Sequence, residues 1–346
     1  MIKITDVWSN HFNLFVDDII NNIESMTMVI LDCLNEADHY DRVFNKKDID
    51  RLLSVTCQYN VPVKILTSNP NKNPALNQFS NVSVICWITF WFNRTYRFWV
   101  HYDKFDKQKS NQAKGINIKD DNVCKNFELL YPYICLNNIV KNHRCLIMDM
   151  LAKHDLISHG KISWRNISHG QFDVFDFQYW KPEILILDQD LNTYFRQETM
   201  PIEFNNSFMQ LVTETEEVET FITEKTATPI LLNKPFLAAA NRGFHRVLEQ
   251  KGFKLYTELF DYSFDDEFDI NVRYEKIIEN VKRYVGLSSI ELKQYYDSVA
   301  DKITHNRKLA IEYAFDIPNE IKKLHLLVNK NNKEYTGPLN NIKSIE

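Results

Sequence analysis

The run that most constrains this fold is Met26–Leu34, Met-Thr-Met-Val-Ile-Leu-Asp-Cys-Leu, nearly continuous in apolar residues. A strand with one wetted face alternates apolar and polar residues. A short, unbroken apolar run instead needs cover on both faces, as in a parallel sheet flanked by helices. Asp48–Tyr59 follows with Ile49, Leu52, Leu53 and Val55 at helical spacing, and Val61–Thr67 reads as a second strand closed by Ser-Asn-Pro-Asn. Val82–Phe92 reads as a third. Strand, helix, strand in this order predicts a βαβ unit.

The pattern returns further on. Tyr131–Leu136 reads as a strand and Asn137–Lys141 as a turn. His143–Lys153 reads as a helix with Leu146, Ile147, Met150 and Leu151 on one face and Gly160 as its stop. Ile184–Leu187, Phe208–Val212 and Phe236–Ala240 supply further strands, and Phe244–Gln250 a short helix ended at Gly252. Ser288 with Glu291 forms a capping box opening a helical stretch toward Ala314. The polar segment 108–121 reads as a linker or mobile loop. The expected organisation is an N-terminal, acceptor-side domain over 1–125, a second domain over 126–286, C-terminal helices over 287–330 and a flexible tail over 331–346. At 346 residues the chain is long enough for two cores. The expected class is α/β: two facing Rossmann-like domains with a helical C-terminus, and ligand in the cleft at the strand ends.

Composition removes several classes of function. The seven glycines start only at Gly115 and never lie close together, which excludes the Walker loop and the Gly-x-Gly-x-x-Gly fingerprint. Kinases, P-loop enzymes and standard dehydrogenases fall with them. The six cysteines form no Cys-x-x-Cys pair, and Cys33, Cys86 and Cys135 sit in strand-like runs as reduced thiols, so a cytoplasmic location is expected and a structural zinc site is not. The longest apolar run is too short to span a bilayer, and the N-terminus lacks the form of a secretory signal, so no membrane association is expected. Abundant Asn, Lys, Ile, Phe and Tyr fit an AT-rich genome such as that of a virus or phage.

Chemistry concentrates in Phe221-Ile-Thr-Glu-Lys-Thr-Ala-Thr-Pro-Ile230, where an acidic loop gives way to a helix start. Thr223 or Thr226 can cap that helix, with Pro229 tolerated in its first turn. A helix start carries unpaired N–H groups and partial positive charge and suits a phosphate. Lys225 adds a full charge, and Glu224 is an acceptor for a pair of ribose hydroxyls. Together they look like a nucleotide-sugar diphosphate site; the alternative is a capping box followed by a solvated lysine.

The order of these elements resembles glycosyltransferases of the GT-B fold, most closely the fucosyltransferase-like group and phage DNA-modifying relatives. Tyr-Ile-Cys-Leu-Asn-Asn-Ile-Val-Lys-Asn-His-Arg (133–144) is similar to the opening of that group's donor domain. Glu214, ten residues before Glu224, is similar to the family's Glu-Asn-Ser/Thr ahead of Val-Thr-Glu-Lys, although Thr215 stands where the family has Asn. The resemblance covers about 133–285. It implies a UDP- or GDP-sugar donor, with Arg144 and Lys225 neutralising the diphosphate, Thr223 at the helix start, Glu224 on the ribose and Glu214 near the sugar. Preplaced cations stabilise the charge that grows on the leaving diphosphate. Arg144 could instead be an ordinary surface cation, and His143 reads as structural. No cofactor is required by this reading. A divalent metal at Asp188-x-Asp190, after the strand-like Glu183–Leu187, is the alternative.

The acceptor hydroxyl needs a general base from the opposing domain. Asp32, Glu36 and Asp38 follow the first strand, and Glu36 is chosen. Net charge of −5 gives no global pull toward nucleic acid. Residues 90–119, however, carry Arg94, Arg97, Lys104, Lys107, Lys109, Lys114 and Lys119 against two aspartates, interleaved with aromatics. Cations track phosphates and aromatics stack on bases, so this segment is the candidate surface for double-stranded DNA. The alternative is aromatic core beside a solvated basic loop. The expected function is sugar transfer to a hydroxyl, with a 5-hydroxymethylated pyrimidine in phage-type DNA as the leading acceptor. A glycan or small-molecule acceptor is the first alternative, and a non-catalytic nucleic-acid-binding protein the second.

Overall fold

The computed structural model describes residues 1–6, 12–34, 46–68, 74–105, 128–167, 175–185, 187 and 201–331. The chain divides into two compact units, Met1–Trp91 with Phe315–Glu346, and Phe92–Ala314.

The first unit holds β1 (Ile2–Asp6), α1 (Phe12–Asn21), β2 (Met28–Cys33), α2 (Lys46–Gln58), β3 (Val63–Thr67) and β4 (Val82–Cys86). The strands are parallel and lie in chain order, β1-β2-β3-β4. Val29, Leu31 and Cys33 of β2 and Val63 and Ile65 of β3 form one core with Phe12, Val16 and Ile19 of α1 and Ile49, Leu52 and Leu53 of α2. Every step along this sheet goes the same way, so right-handed crossovers put α1 and α2 on one face, where they pack against each other.

The expected third strand is shorter than its apolar run. β4 stops at Cys86, and α3 (Phe90–Phe105) begins four residues later. A short apolar run fits a strand or a buried helix equally by pattern. Trp87, Phe90 and Trp91 are buried in edge-to-face contacts, with ring centroids 5.3 and 5.5 Å apart.

The second unit contains β5 (Tyr131–Ile139), α4 (Asn142–Lys153), β6 (Lys161–Ile167), α5 (Ile202–Asn205), β7 (Ser207–Thr213), α6 (Glu224–Leu231), β8 (Phe236–Ala239), α7 (Phe244–Gln250), α8 (Ile270–Lys282), α9 (Ser289–Ser298) and α10 (Ala300–Phe315). Its parallel sheet runs β6-β5-β7-β8. All seven residues of β7 are buried, as a central strand covered on both sides requires. α9 and α10 therefore group with the second unit, and α11 (Asn319–Asn331) returns to the first and packs on β1. Both units are thus α/β with an all-parallel four-stranded sheet, and the C-terminal part of the chain is helical.

Local differences from expectation have physical causes. Asn137–Ile139 is strand rather than turn, with a register shift between Asn137 and Ile139 against β6. Among the described residues of the expected strand Ile184–Leu187, Leu185 makes a two-bond antiparallel bridge to Trp164, each bond 2.8 Å. Gly160 does not stop α4, which closes at His154 with Asp155 at φ 57°. The glycine is needed because the Tyr133 ring lies against it: a Cβ there would sit 2.3 Å from the ring carbon Cζ. Gly252 does end α7, at φ +89°, with Gly252 N–H bonding Glu249 O (2.8 Å) and Phe253 N–H bonding Leu248 O (3.1 Å). The Ser288–Glu291 capping box is present.

Among the described residues, the cysteines Cys33, Cys57, Cys86, Cys135 and Cys145 form no disulfide, and no helix is long and apolar enough to cross a membrane.

Candidate phosphate site at the strand ends of the second sheet

From β5 the chain steps one way to β6, whereas from β7 it steps the other way to β8. The carboxyl ends of β5 and β7 therefore flank the place where the winding reverses, where open α/β sheets form their ligand crevice. A polar layer lies under it. The Asn137 side chain accepts from Thr213 Oγ1 at 2.5 Å, and the Asn137 N–H donates to Ser163 Oγ at 3.1 Å, which ties β5 to both neighbours.

Two helices start at this edge. α4 opens after an extended Lys141, with His143 and Arg144 in its first turn and no acidic residue there. That is opposite to what a helix dipole prefers, since acids stabilise the first turn and cations oppose it. Arg144 is only 3% exposed. Its Nη1 donates to Ile139 O at 3.0 Å and its Nη2 to Glu214 O at 3.3 Å, while its Nε–H has no partner. It is not a surface cation. Burial lowers its proton affinity, and Glu214 and Glu224 work against that shift.

α6 begins at Glu224 with Thr223 as its cap, the Thr223 hydroxyl accepting from Lys225 N–H at 3.2 Å. Thr226 takes no part as a cap residue but donates to Glu214. Pro229 falls in the second turn rather than the first, because the cap is Thr223. Lys225 Nζ donates to Glu224 Oε1 at 2.7 Å and to Thr215 Oγ1 at 3.0 Å. On the other side of the same threonine, Lys141 Nζ donates to Thr215 O at 2.8 Å and to Glu216 Oε1 at 3.3 Å. The two ammonium groups, each about one-fifth exposed, thus meet at Thr215. Burial lowers the Lys141 amine's proton affinity, and Glu216 raises it again.

Glu214 follows β7 directly and is fully buried. Its carboxylate accepts from Thr223 N–H (3.2 Å) and Thr226 Oγ1 (2.6 Å) on one oxygen, and from Thr215 N–H (3.1 Å) and Thr223 Oγ1 (2.6 Å) on the other. A carboxylate offers about four acceptor positions, and the chain itself fills them. Glu214 was expected near a sugar; in the structure its carboxylate fastens the start of α6 to the end of β7. The position of Thr215 corresponds to this role, since its backbone N–H and side chain are both used here.

His143 is buried and neutral. Its pKa is lowered to about 3, first by burial and then by Arg144. Its Nε2 lies 2.8 Å from Glu214 O and its Nδ1 3.8 Å from Glu217 Oε2, so it orders the loop after β7. Glu224, expected on a ribose, is 3% exposed and held by Lys225.

Arg144, Glu214, Thr223, Glu224 and Lys225 are therefore neighbours in space. Lys141 and Glu216, not singled out from the sequence, complete the group. The signal was available: Lys141 directly precedes the helix that carries Arg144. Elsewhere the candidates scatter. Arg94 and Arg97 lie part-buried on α3, with burial lowering Arg97's proton affinity. Lys104 is on the same helix, whereas Lys107, Lys109, Lys114, Lys119, Glu36, Asp38, Asp188 and Asp190 lie outside the described residues, as do the expected linker 108–121 and the tail beyond 331. Asp32, the described member of the acidic trio, is buried in β2 and accepts from Leu34 N–H at 3.2 Å. Phe90, Trp91 and Phe92 are core residues, so that part of the aromatic run offers no stacking surface.

Among the described residues one group, His154, Glu275 and Glu279, brings metal-ligating atoms within 4.8 Å of each other. Lys153 and Lys282 already sit on its carboxylates at 3.1 and 2.7 Å. Comparison of the chain with family models, curated proteins and solved structures finds no match.

Proposed function

We propose that this chain is a glycosyltransferase that takes a sugar from a nucleoside-diphosphate donor bound at the β5–β7 edge. One observation carries the reading: two helix starts and three cations, Lys141, Arg144 and Lys225, meet where the sheet reverses its winding. Cations at a helix start run against the dipole's preference and are offset by anions that share the place, here Glu216 on Lys141 and Glu224 on Lys225, whose positions a phosphate would take.

The carboxylates at this edge give the reading a mechanism. Phosphate oxygens take Lys225 from Glu224 and Lys141 from Glu216. Glu224 then accepts from ribose hydroxyls, so nucleoside and diphosphate reinforce each other. As the glycosidic bond breaks, the electron pair stays on the diphosphate oxygen, and cations fixed by the chain meet that charge without reorganising. The acceptor hydroxyl passes its proton to a general base, for which Glu36 remains the candidate. A hydroxymethylated pyrimidine in DNA is one acceptor; a glycan or small molecule is the other.

The test is a transfer assay that follows nucleoside-diphosphate release from a panel of UDP- and GDP-sugars, with hydroxymethylated duplex DNA, plain duplex and glycan acceptors in parallel. Release that needs one donor and one hydroxyl acceptor is expected. Binding of plain duplex with no affinity for any nucleotide would instead favour a nucleic-acid-binding protein.

A further inference from the structure

Three side chains with metal-binding atoms converge at the C-terminal end of α4. His154 is the residue that ends this helix, and α8 packs beside it with Glu275 and Glu279 four residues apart on one face. One ligand atom from each lies within 4.8 Å of the other two. His154 Nε2 is 2.5 Å from Glu275 Oε1, a contact that needs a proton between the two atoms. The three side chains are 18, 33 and 53% exposed, so an ion reaches them directly from solvent. The end of α4 adds the partial negative charge of its last carbonyls, which favours a cation. In the structure Lys153 answers that charge on Glu275 Oε2 at 3.1 Å and Lys282 on Glu279 Oε1 at 2.7 Å. Both lysine side chains are 39% exposed, and exposed pairs of this kind hold weakly. Either ammonium group can turn out into water.

We propose that His154, Glu275 and Glu279 bind a divalent transition-metal ion of the zinc class, which ties the end of α4 to α8. The ion takes the place of the proton between His154 and Glu275 and of the two lysine charges. That proton leaves to solvent, as metal binding to protonated ligands requires. Three protein ligands of nitrogen and oxygen type, with water in the fourth position, are a zinc coordination set. Magnesium prefers an all-oxygen octahedron that keeps several waters, and an imidazole suits it poorly. His154 lies ten residues along α4 from Arg144, about 15 Å at helical rise. The ion therefore acts on the packing of two helices, and the proposal stands apart from the nucleotide reading.

The experiment is calorimetric titration of zinc chloride, with magnesium chloride beside it, into the full chain after chelation and dialysis. His154→Ala and Glu279→Gln variants are titrated in parallel, and a melting curve is taken for each protein with and without zinc. The unmodified chain should bind one zinc at this site, and its melting temperature should rise with zinc concentration, because the ion favours the folded state. Each variant should bind at least tenfold more weakly, since altering even the residues that support a metal ligand costs 10–100-fold in affinity, and its melting temperature should respond less to zinc. Zinc affinity unchanged in both variants puts the ion elsewhere, on a cysteine for example, and overturns the assignment. Magnesium bound as tightly as zinc overturns the part given to His154. Zinc that binds without raising the melting temperature overturns the tie between α4 and α8, and an unmodified chain that binds no zinc overturns the site altogether.

Discussion

The two sheets are built from the same material, short apolar parallel strands, but they are ordered differently. In the first unit chain order and spatial order agree, β1-β2-β3-β4, and the crossovers all step one way. In the second, β5 and β7 are neighbours whose crossovers step apart. The consequence is local. Only the second sheet has a reversal among the described strands, and Lys141, His143, Arg144, Glu214, Glu224 and Lys225 cluster there. Apolar patterning builds both sheets; the order of winding decides which of them offers a crevice.

The largest expected effect tests the packing of the second sheet. Gly160→Ala places a methyl group against the buried Tyr133 ring, and overpacking of this kind costs about 1–3 kcal/mol. Chemical denaturation should show the second unit's transition shifted by that amount. A neutral result would mean that Tyr133 moves freely and the sheet is less tightly specified.

Next comes the contrast between units. Lys225→Ala and Arg144→Ala should each weaken nucleoside-diphosphate binding by about 1–3 kcal/mol through lost charged hydrogen bonds. Glu36→Gln in the first unit should leave that affinity unchanged while slowing transfer. Equal losses from both units would erase the distinction drawn here.

Thr223→Ala should cost about 1 kcal/mol of stability, the worth of a helix cap, with a further loss of nucleotide affinity because Glu214 loses its 2.6 Å donor. A variant as stable as the parent would show that Glu214 alone holds the start of α6.

A smaller effect follows from His143, whose pKa burial lowers to about 3 from the ordinary 6.5. The unfolded chain binds this proton more readily than the folded one, so the stability associated with a neutral His143 is present above pH about 6.5. It is lost as the pH falls from there toward 3. His143→Gln should flatten that slope in a pH series of melting curves. The smallest expected effect is that of EDTA, because in the proposed site Lys and Arg side chains rather than a divalent ion would carry the phosphate charge. Complete loss of transfer, restored by manganese, would shift attention to Asp188 and Asp190.

Much of this was legible in the chain. The Thr-Glu-Lys helix start was readable because capping is local chemistry, and the Gly252 stop because a left-handed residue at a helix end favours glycine. Met26–Leu34 showed its strand because burial on both faces leaves an unbroken apolar run. Gly160 was misread for a complementary reason: its conformation is ordinary, and what requires glycine is a ring brought in from another strand. The four donors of the chain that converge on Glu214 were not legible, since nothing local in the sequence shows them. The aromatic run after Val82 hid a strand, a turn and a helix start, which share one apolar composition.

The most direct test of the central claim is isothermal titration of UDP and GDP into the full chain beside Lys225→Ala, Arg144→Ala and Glu36→Gln. The reversal of winding at β5–β7 predicts one nucleotide site per chain, weakened about fivefold or more by either cation change and untouched by Glu36→Gln. Binding that survives both cation changes, or a site abolished from the first unit alone, would contradict it.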